Sequence, residues 1–288
     1  MERERVPFLL VGLFLVSNLL GLTAALQLYG VPAVEKAAAV YRNPTSGAVF
    51  FGILLLATTL LLLLYRLNRE FLVKAWFLSA LFITSLIFFD AFLPVAPSAA
   101  LALLLLGIRS RGSGTGLRNL MDTIPFAGAG ALFGVLLGFR AALILFGLLA
   151  IYDYIAVNHL GHMVSLAKEG LSSGTLMGFQ YPKDRELGKE KTEMSGNSGS
   201  GSGGGEGQAR IGMLGGGDVI MPMVLAVSIV PLFGVWAAVS TVAGSAAFLF
   251  VFLTAVQRRE AERFYPAIPV VGSGAILGLM LHLSLSLL

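Results

Sequence analysis

Two aspartates lie in stretches of this chain that are apolar enough to be embedded in lipid. Asp153 lies in "LLAIYDYIAV", and Asp218 lies in "MLGGGDVIMP" behind three glycines. An ionisable side chain within a membrane span is costly, so each of the two is a candidate functional residue. Two carboxyls that meet in a site of low dielectric constant cannot both ionise easily, and the pair shares a proton. The ionised member can then take a proton from water while the protonated member polarises a carbonyl group.

The composition identifies the solvent that surrounds these aspartates. Hydrophobic residues make up 56% of the 288 residues, charged residues make up 12%, and the mean hydropathy is +0.84. These values predict a polytopic membrane protein in a lipid bilayer. The absence of cysteine excludes a disulfide framework and thiolate chemistry. The net charge of +4 does not indicate a nucleic-acid partner, because the basic residues follow the membrane topology.

Nine apolar runs predict an all-α fold with nine transmembrane helices. A bilayer core of about 30 Å needs roughly 20 apolar residues in helical form. The fifth run is rich in glycine and alanine, which favours close packing against neighbouring helices. The predicted spans are Val6–Leu28, Val49–Tyr65, Ala75–Leu93, Ala96–Ile108, Thr123–Phe139, Ala141–Asn158, Ile211–Phe233, Val235–Val256 and Pro269–Leu288.

The distribution of basic residues predicts the orientation of these spans. Of the 20 lysines and arginines, all but Lys36, Arg42 and Arg140 fall on the side of the N-terminus. Cytoplasmic loops carry an excess of lysine and arginine. We therefore expect an integral membrane protein with a cytoplasmic N-terminus and a C-terminus outside.

A polar segment over residues 168–210 divides the chain. It ends in "GKEKTEMSGNSGSGSGGGEGQ", a composition typical of a flexible linker. The sequence therefore predicts an N-terminal membrane part (1–167) with six spans, a flexible cytoplasmic Gly/Ser-rich loop (168–210), and a C-terminal membrane part (211–288) with three spans.

The predicted depth of the two aspartates suggests that they meet. Asp153 lies thirteen residues beyond Arg140, which places it roughly 10 Å from the cytoplasmic face. Asp218 lies eight residues beyond Arg210, which places it roughly 12 Å from the same face. Depth alone leaves three hypotheses open: a protease, a proton- or cation-coupled secondary transporter, and a structural hydrogen bond between helices.

Other polar residues in or near the spans favour ordinary structural roles. We expect Asp90 to be an interfacial residue near the outer end of the third span. Asp122 is interpreted as a helix-start residue of the fifth span, favoured by the helix dipole. His159 and His162 have a spacing that suits metal ligands, but no H-E-x-x-H pattern is present, and we expect no metal there.

Three short motifs carry a family resemblance. They are "YD" at Tyr152–Asp153, G-x-G-D at Gly215–Asp218 and "PAIP" at Pro266–Pro269, in the sixth, seventh and ninth predicted spans. In this order and placement they resemble the presenilin and signal peptide peptidase family of intramembrane aspartyl proteases. A prepilin-peptidase-like enzyme also uses G-x-G-D, but it is expected to have a different span plan.

The resemblance implies an activity and roles for individual residues. It implies that Asp153 and Asp218 are the catalytic pair, and that Pro266, Ala267 and Ile268 shape the active site at the cytoplasmic start of the last span. The family motif has leucine at the position of Ile268. The predicted orientation resembles that of presenilin, so the expected substrates are single-span proteins with their N-terminus outside.

The residues around the aspartates suggest how a substrate could reach them. Gly215 and Gly217 lack side chains and would let another backbone approach closely. Pro222 cannot donate to the carbonyl of Asp218, which should loosen the helix there. Tyr152 is expected either to direct its hydroxyl toward the aspartates or to pack between helices. The carboxyls supply both acid and base, so no metal or organic cofactor is expected, and a homo-oligomer is left open.

Overall fold

The structure is a computed structural model that describes residues 2–67, 69–111, 114–156, 178–182, 211–257 and 266–287. The described residues form nine helices and one two-stranded antiparallel sheet. In chain order, the elements are α1 (Glu2–Leu28), α2 (Pro32–Tyr41), α3 (Thr45–Arg66), α4 (Glu70–Asp90), α5 (Val95–Ser110), α6 (Thr115–Leu136), α7 (Phe139–Ile155), β1 (Gly178–Pro182), β2 (Ile211–Gly215), α8 (Gly216–Gln257) and α9 (Ile268–Ser286).

Each of the nine predicted spans overlaps one of these helices. α8 contains two of the spans, because its 42 residues are about twice the number that crosses a bilayer. The two halves, 216–233 and 235–257, are separated by a kink at Gly234, whose φ of 81° suits glycine and few other residues. The kink falls between the predicted seventh and eighth spans.

The described part of the chain includes six helices that are long and apolar enough to cross a membrane. They are α1, α3, α4, α6, α8 and α9; α5 is apolar but shorter. The prediction of an all-α polytopic membrane protein is confirmed.

Two local predictions differ from the structure. The seventh span was predicted as a helix from Ile211, but residues 211–215 form β2 and the helix begins at Gly216. β1 lies inside the segment predicted as a flexible linker, most of which falls outside the described residues. The sequence analysis also did not predict α2, a short alanine-rich helix with proline in its first turn.

α6 is the central helix of the fold and packs against α1, α4 and α8. It is the most buried of the six membrane-crossing helices, and α3 is the most exposed. The backbone of Gly128 approaches the Thr84 carbonyl of α4, and Gly130 and Gly134 face Met223 and Val227 of α8. A Cβ atom at any of these glycines would collide with its neighbour. The predicted close packing of the fifth span is therefore confirmed.

α9 packs along the second half of α8. Gly244 of α8 faces Gly274 and Gly278 of α9, and the two backbones are too close to accommodate a Cβ atom at these positions. Small residues permit such contacts between membrane helices. This packing fixes the start of α9 relative to α8, and α9 also packs against α7.

Candidate active site

Asp153 lies in the last turn of α7, and its side chain is buried. Its Oδ2 accepts a long hydrogen bond of 3.4 Å from the backbone N–H of Ile268, the first residue of α9. The first N–H groups of a helix have no partner within it, and the positive end of the helix dipole favours a carboxylate. Asp153 therefore caps α9 across a separation of 115 residues in sequence.

Asp218 lies at the opposite kind of helix end, in the first turn of α8. The backbone N–H of Gly215 donates to its Oδ2 at 3.2 Å, and the side chain is partly buried. A side chain at the third helical position that reaches back to the preceding N–H is half of a capping box. The G-x-G-D stretch thus ends strand β2 and starts helix α8 at the aspartate.

The structure brings the two carboxyls close enough for their charges to interact. No hydrogen bond joins them directly, and neither forms an ion pair with a cation among the described residues. The polar contacts that hold them are backbone N–H groups at the starts of α8 and α9. The site therefore contains two neighbouring acids whose charges no basic side chain of the described ranges neutralises.

The depth of Asp218 was predicted from a continuous helix that follows Arg210, and this assumption is wrong. Residues 211–215 are extended, with a rise per residue about twice that of a helix. The α-helical conformation also continues through Pro222. The helix is therefore not broken at this point, contrary to the expected loosening. Proline only removes the N–H that would have donated to the carbonyl of Asp218.

The two glycines of the motif differ in their surroundings. A Cβ atom on Gly215 would lie 3.2 Å from Oδ2 of Asp218, whereas a Cβ atom on Gly217 would meet open space. Gly217 is also exposed. Gly215 is therefore required by the packing of the aspartate itself, and no contact within the described chain requires Gly217.

The segment at the start of α9 contributes its backbone to the site. Ala267 is buried, and Pro266 and Ile268 are partly buried. The contact with Asp153 is made by the N–H of Ile268 and not by its side chain. The difference between isoleucine and the leucine of the family motif leaves this hydrogen bond unchanged.

Tyr152 packs its ring against α3. The ring is partly buried and lies edge-on to Phe51, with 6.2 Å between the centroids. The packing alternative for Tyr152 is therefore present, and a role for its hydroxyl stays a prediction.

The remaining candidate residues have different outcomes. Asp90 is the exposed last residue of α4, and its interfacial position stays a prediction. The helix-start interpretation of Asp122 is wrong: α6 begins at Thr115, and Asp122 is fully buried two turns later. Its oxygens accept hydrogen bonds of 2.6 and 3.2 Å from the guanidinium of Arg109 in α5. His159 and His162 lie outside the described residues.

Two buried amides beside the site were not predicted from the sequence. Asn119 of α6 bonds to both main-chain groups of Gln180 in β1, and Asn18 of α1 donates to the carbonyl of Val219, the residue after Asp218. An asparagine inside an apolar run is a recognisable signal, because a buried amide requires partners. Its partners are distant in sequence and could not be identified from spacing.

Together, the fold and the site define a polytopic helical membrane protein with two adjacent acids at the ends of membrane helices. Residues 11–286 match the family model described as "Signal-peptide peptidase, presenilin aspartyl protease". The chain belongs to this family of intramembrane aspartyl proteases, and it is an integral membrane protein.

Two solved structures are similar to the whole chain. Both are described as a presenilin family intramembrane aspartate protease, one in the C222 and one in the P2 space group. The first is 21% identical, covers 97% of this chain and 99% of its own, and has a TM-score of 0.66. The second is 23% identical, covers 94% and 96%, and has a TM-score of 0.59. At this identity the likeness extends to the fold. No curated protein matches the chain significantly.

Proposed function

We propose that the chain is an aspartic endopeptidase of the G-x-G-D type that hydrolyses peptide bonds within or near transmembrane helices. Asp153 and Asp218 are the proposed catalytic pair. The observation that carries the proposal is the proximity of these carboxyls without a neutralising cation among the described residues. Such a pair shares a proton, so it offers a base and an acid at once.

The proposed reaction uses one water molecule and no other reagent. The ionised carboxylate takes a proton from water, whose oxygen forms a bond to the scissile carbonyl carbon. The protonated carboxyl donates to the carbonyl oxygen, which yields a neutral tetrahedral intermediate. Collapse of the intermediate breaks the C–N bond: the amine nitrogen takes the proton from the first carboxyl, and one hydroxyl of the intermediate returns its proton to the second carboxylate. The same two carboxyls are restored at the end of the cycle.

Single-span membrane proteins with their N-terminus outside are the proposed substrates. The proposal rests on the excess of basic residues on the side of the N-terminus, which supports a cytoplasmic N-terminus and an external C-terminus. A helical substrate must unwind before its peptide bonds can be attacked. The open space over Gly217 supports an approach of the unwound backbone there. Pro266, Ala267 and Ile268 are proposed to shape the active site at the start of α9, beside Asp153.

The test uses purified protein in liposomes with a single-span peptide substrate. Asp153→Asn and Asp218→Asn should each lower cleavage by about 10²–10⁴-fold, because each removes one acid–base group. Asp90→Asn, at an exposed helix end, is the control and should cleave at the wild-type rate. The wild-type rate should follow a bell-shaped pH profile with two macroscopic ionisations. Cleavage retained by either dyad variant contradicts the proposal.

The transporter alternative is tested in the same liposomes. Proton or cation flux that depends on Asp153 and Asp218, without peptide products, would replace the proteolytic function. We expect peptide products and no flux coupled to these residues.

A further inference from the structure

The sheet that precedes Asp218 is attached to α6 by side chains that take the place of a third strand. Asn119 donates to the carbonyl of Gln180 at 2.7 Å and accepts from its N–H at 2.9 Å. Asn119 is buried, and so is Gln180. Because the N–H and C=O groups of one residue in an antiparallel strand point to the same edge, these groups of Gln180 point away from β2. Asn119 thus occupies the outer edge of β1.

A second residue of α6 contacts the same edge. Gly178 lies two residues before Gln180 and therefore presents its N–H in the same direction. That N–H lies close enough to the carboxylate of Asp122 to stabilise its charge. Asp122 is itself held by the bidentate ion pair with Arg109. Asn119 and Asp122 are three residues apart, so they lie on one face of α6.

An aromatic contact completes the attachment. Phe179, between the two anchored residues of β1, is fully buried and lies edge-on to Phe126 of α6 with 5.4 Å between ring centroids. Phe126 follows Asp122 by one helical turn and continues the same face. Three successive residues of β1 are therefore fixed to α6.

The register transmits this attachment to Asp218. Phe179 pairs with Leu214, and Gly178 pairs with Gly215. Because the main-chain groups of Phe179 face β2, Phe179 and Leu214 form a hydrogen-bonded pair. The N–H of the next residue, Gly215, therefore points to the outer edge of β2, where Oδ2 of Asp218 accepts it. The direction of this N–H therefore depends on the position of β1, which α6 sets.

We propose that Asn119, together with Asp122, is a positioning residue for proteolysis: it holds β1 so that β2 presents the Gly215 N–H to Asp218. This inference rests on the proposed function, because it assigns Asn119 an effect on the reactivity of Asp218. Asn119 does not touch the reacting groups and acts through the two strands.

The experiment compares Asn119→Leu with Tyr29→Phe in the liposome assay. Asn119→Leu keeps the branched shape of the side chain, with some added bulk, and removes both hydrogen bonds to β1. Tyr29→Phe is the matched control, because it removes a 2.7 Å hydrogen bond from a side chain to the Val227 carbonyl of α8 without involving the sheet. Thermal unfolding of both variants measures the loss of stability that each causes.

Asn119→Leu should lower kcat by about 10–100-fold per folded molecule, because small displacements of catalytic groups have effects of this size. KM should stay within about twofold, and one limb of the bell-shaped pH profile should be displaced, because Asp218 has lost its donor. Tyr29→Phe should keep kcat within about twofold and superimpose on the wild-type profile. If Asn119→Leu does not fold, Asn119→Ser, which is too short to bond both groups of Gln180, should show a smaller loss of the same kind.

Two outcomes overturn the inference in distinguishable ways. If Asn119→Leu or Asn119→Ser has wild-type kcat per folded molecule and an unchanged pH profile while Asp218→Asn is inactive, Asn119 is structural and the proposed function stands. If Asp218→Asn cleaves at the wild-type rate, the proposed function fails and the positioning role fails with it.

Discussion

The molecule holds acidic side chains among its membrane helices in two contrasting ways. At the junction of α5 and α6, Asp122 is fully buried and paired in a bidentate contact with Arg109. The guanidinium of Arg109 also lies 5.0 Å from the ring centre of Phe77 on α4. At the ends of α7 and α8, Asp153 and Asp218 have each other and one backbone N–H apiece, without a cation among the described residues.

This difference separates a structural use of a buried carboxylate from a reactive one. The charge of the Asp122 carboxylate is balanced, and both of its oxygens accept hydrogen bonds. The group therefore ties α5 to α6 and is not available as an acid or a base. In the proposed mechanism, the neighbouring pair shares a proton and exchanges it with water or substrate. Like-charge pairs of acids are typical of catalytic sites, whereas balanced ion pairs are typical of structure. The two sites are linked, because the α6 face that carries Asp122 also holds β1.

Breaking the ion pair should have the largest effect on stability. Asp122→Asn removes the carboxylate that accepts two hydrogen bonds from buried Arg109, and removing one member of a buried pair costs about 3–5 kcal/mol. The measurement is the free energy of unfolding in detergent, obtained by titration with a denaturant. Asp153→Asn, which breaks no ion pair among the described residues, should change this free energy by less than about 1 kcal/mol.

A double variant sharpens that comparison. Arg109→Met with Asp122→Leu removes both charges, and an apolar pair of similar volume is often as stable as the ion pair it replaces. Most of the stability lost in Asp122→Asn should therefore return. An equal loss of stability in the single and double variants would show that the lost hydrogen bonds of the pair, and not the charge left on Arg109, determine the loss.

The two motif glycines should separate packing of the aspartate from approach of a substrate. Gly215→Ala places a methyl group 3.2 Å from Oδ2 of Asp218 and should lower kcat about tenfold. Gly217→Ala meets open space in the first turn of α8 and should leave stability unchanged or higher by up to about 1 kcal/mol. If a substrate backbone occupies that space, KM should rise several-fold.

Gly147→Ala is the control for both glycine variants. Gly147 is an exposed helical glycine of α7 with open space around its Cβ position, on the same helix as Asp153. It should share the helix-propensity gain of Gly217→Ala and retain wild-type kcat and KM. A Gly217→Ala enzyme indistinguishable from Gly147→Ala would remove Gly217 from the proposed substrate path.

The sequence predicted what depends on local pattern and missed what depends on pairing. Apolar length located the spans, the glycines of the fifth span indicated its central packing, and the three motifs located the acids. β1 was missed because five residues, "GFQYP", gain their stability from β2 and α6 and not from their own propensity. Asp122 was misplaced because α6 begins two turns earlier, at Thr115, and because its partner Arg109 lies thirteen residues away on another helix.

The smallest effect is expected where the chain departs from the family motif. Ile268→Leu should keep cleavage within about twofold of wild type, because the contact with Asp153 is made by the backbone N–H of this residue, which both side chains leave in place. Ala267→Leu is the contrasting variant: Ala267 is buried, and added volume there forces neighbouring groups to move. It should displace the start of α9 and lower cleavage well below the Ile268→Leu rate. Equal activity of the two variants would mean that the α9 backbone does not position Asp153. The hydrogen bond from the Ile268 N–H to Asp153 would then be dispensable for cleavage.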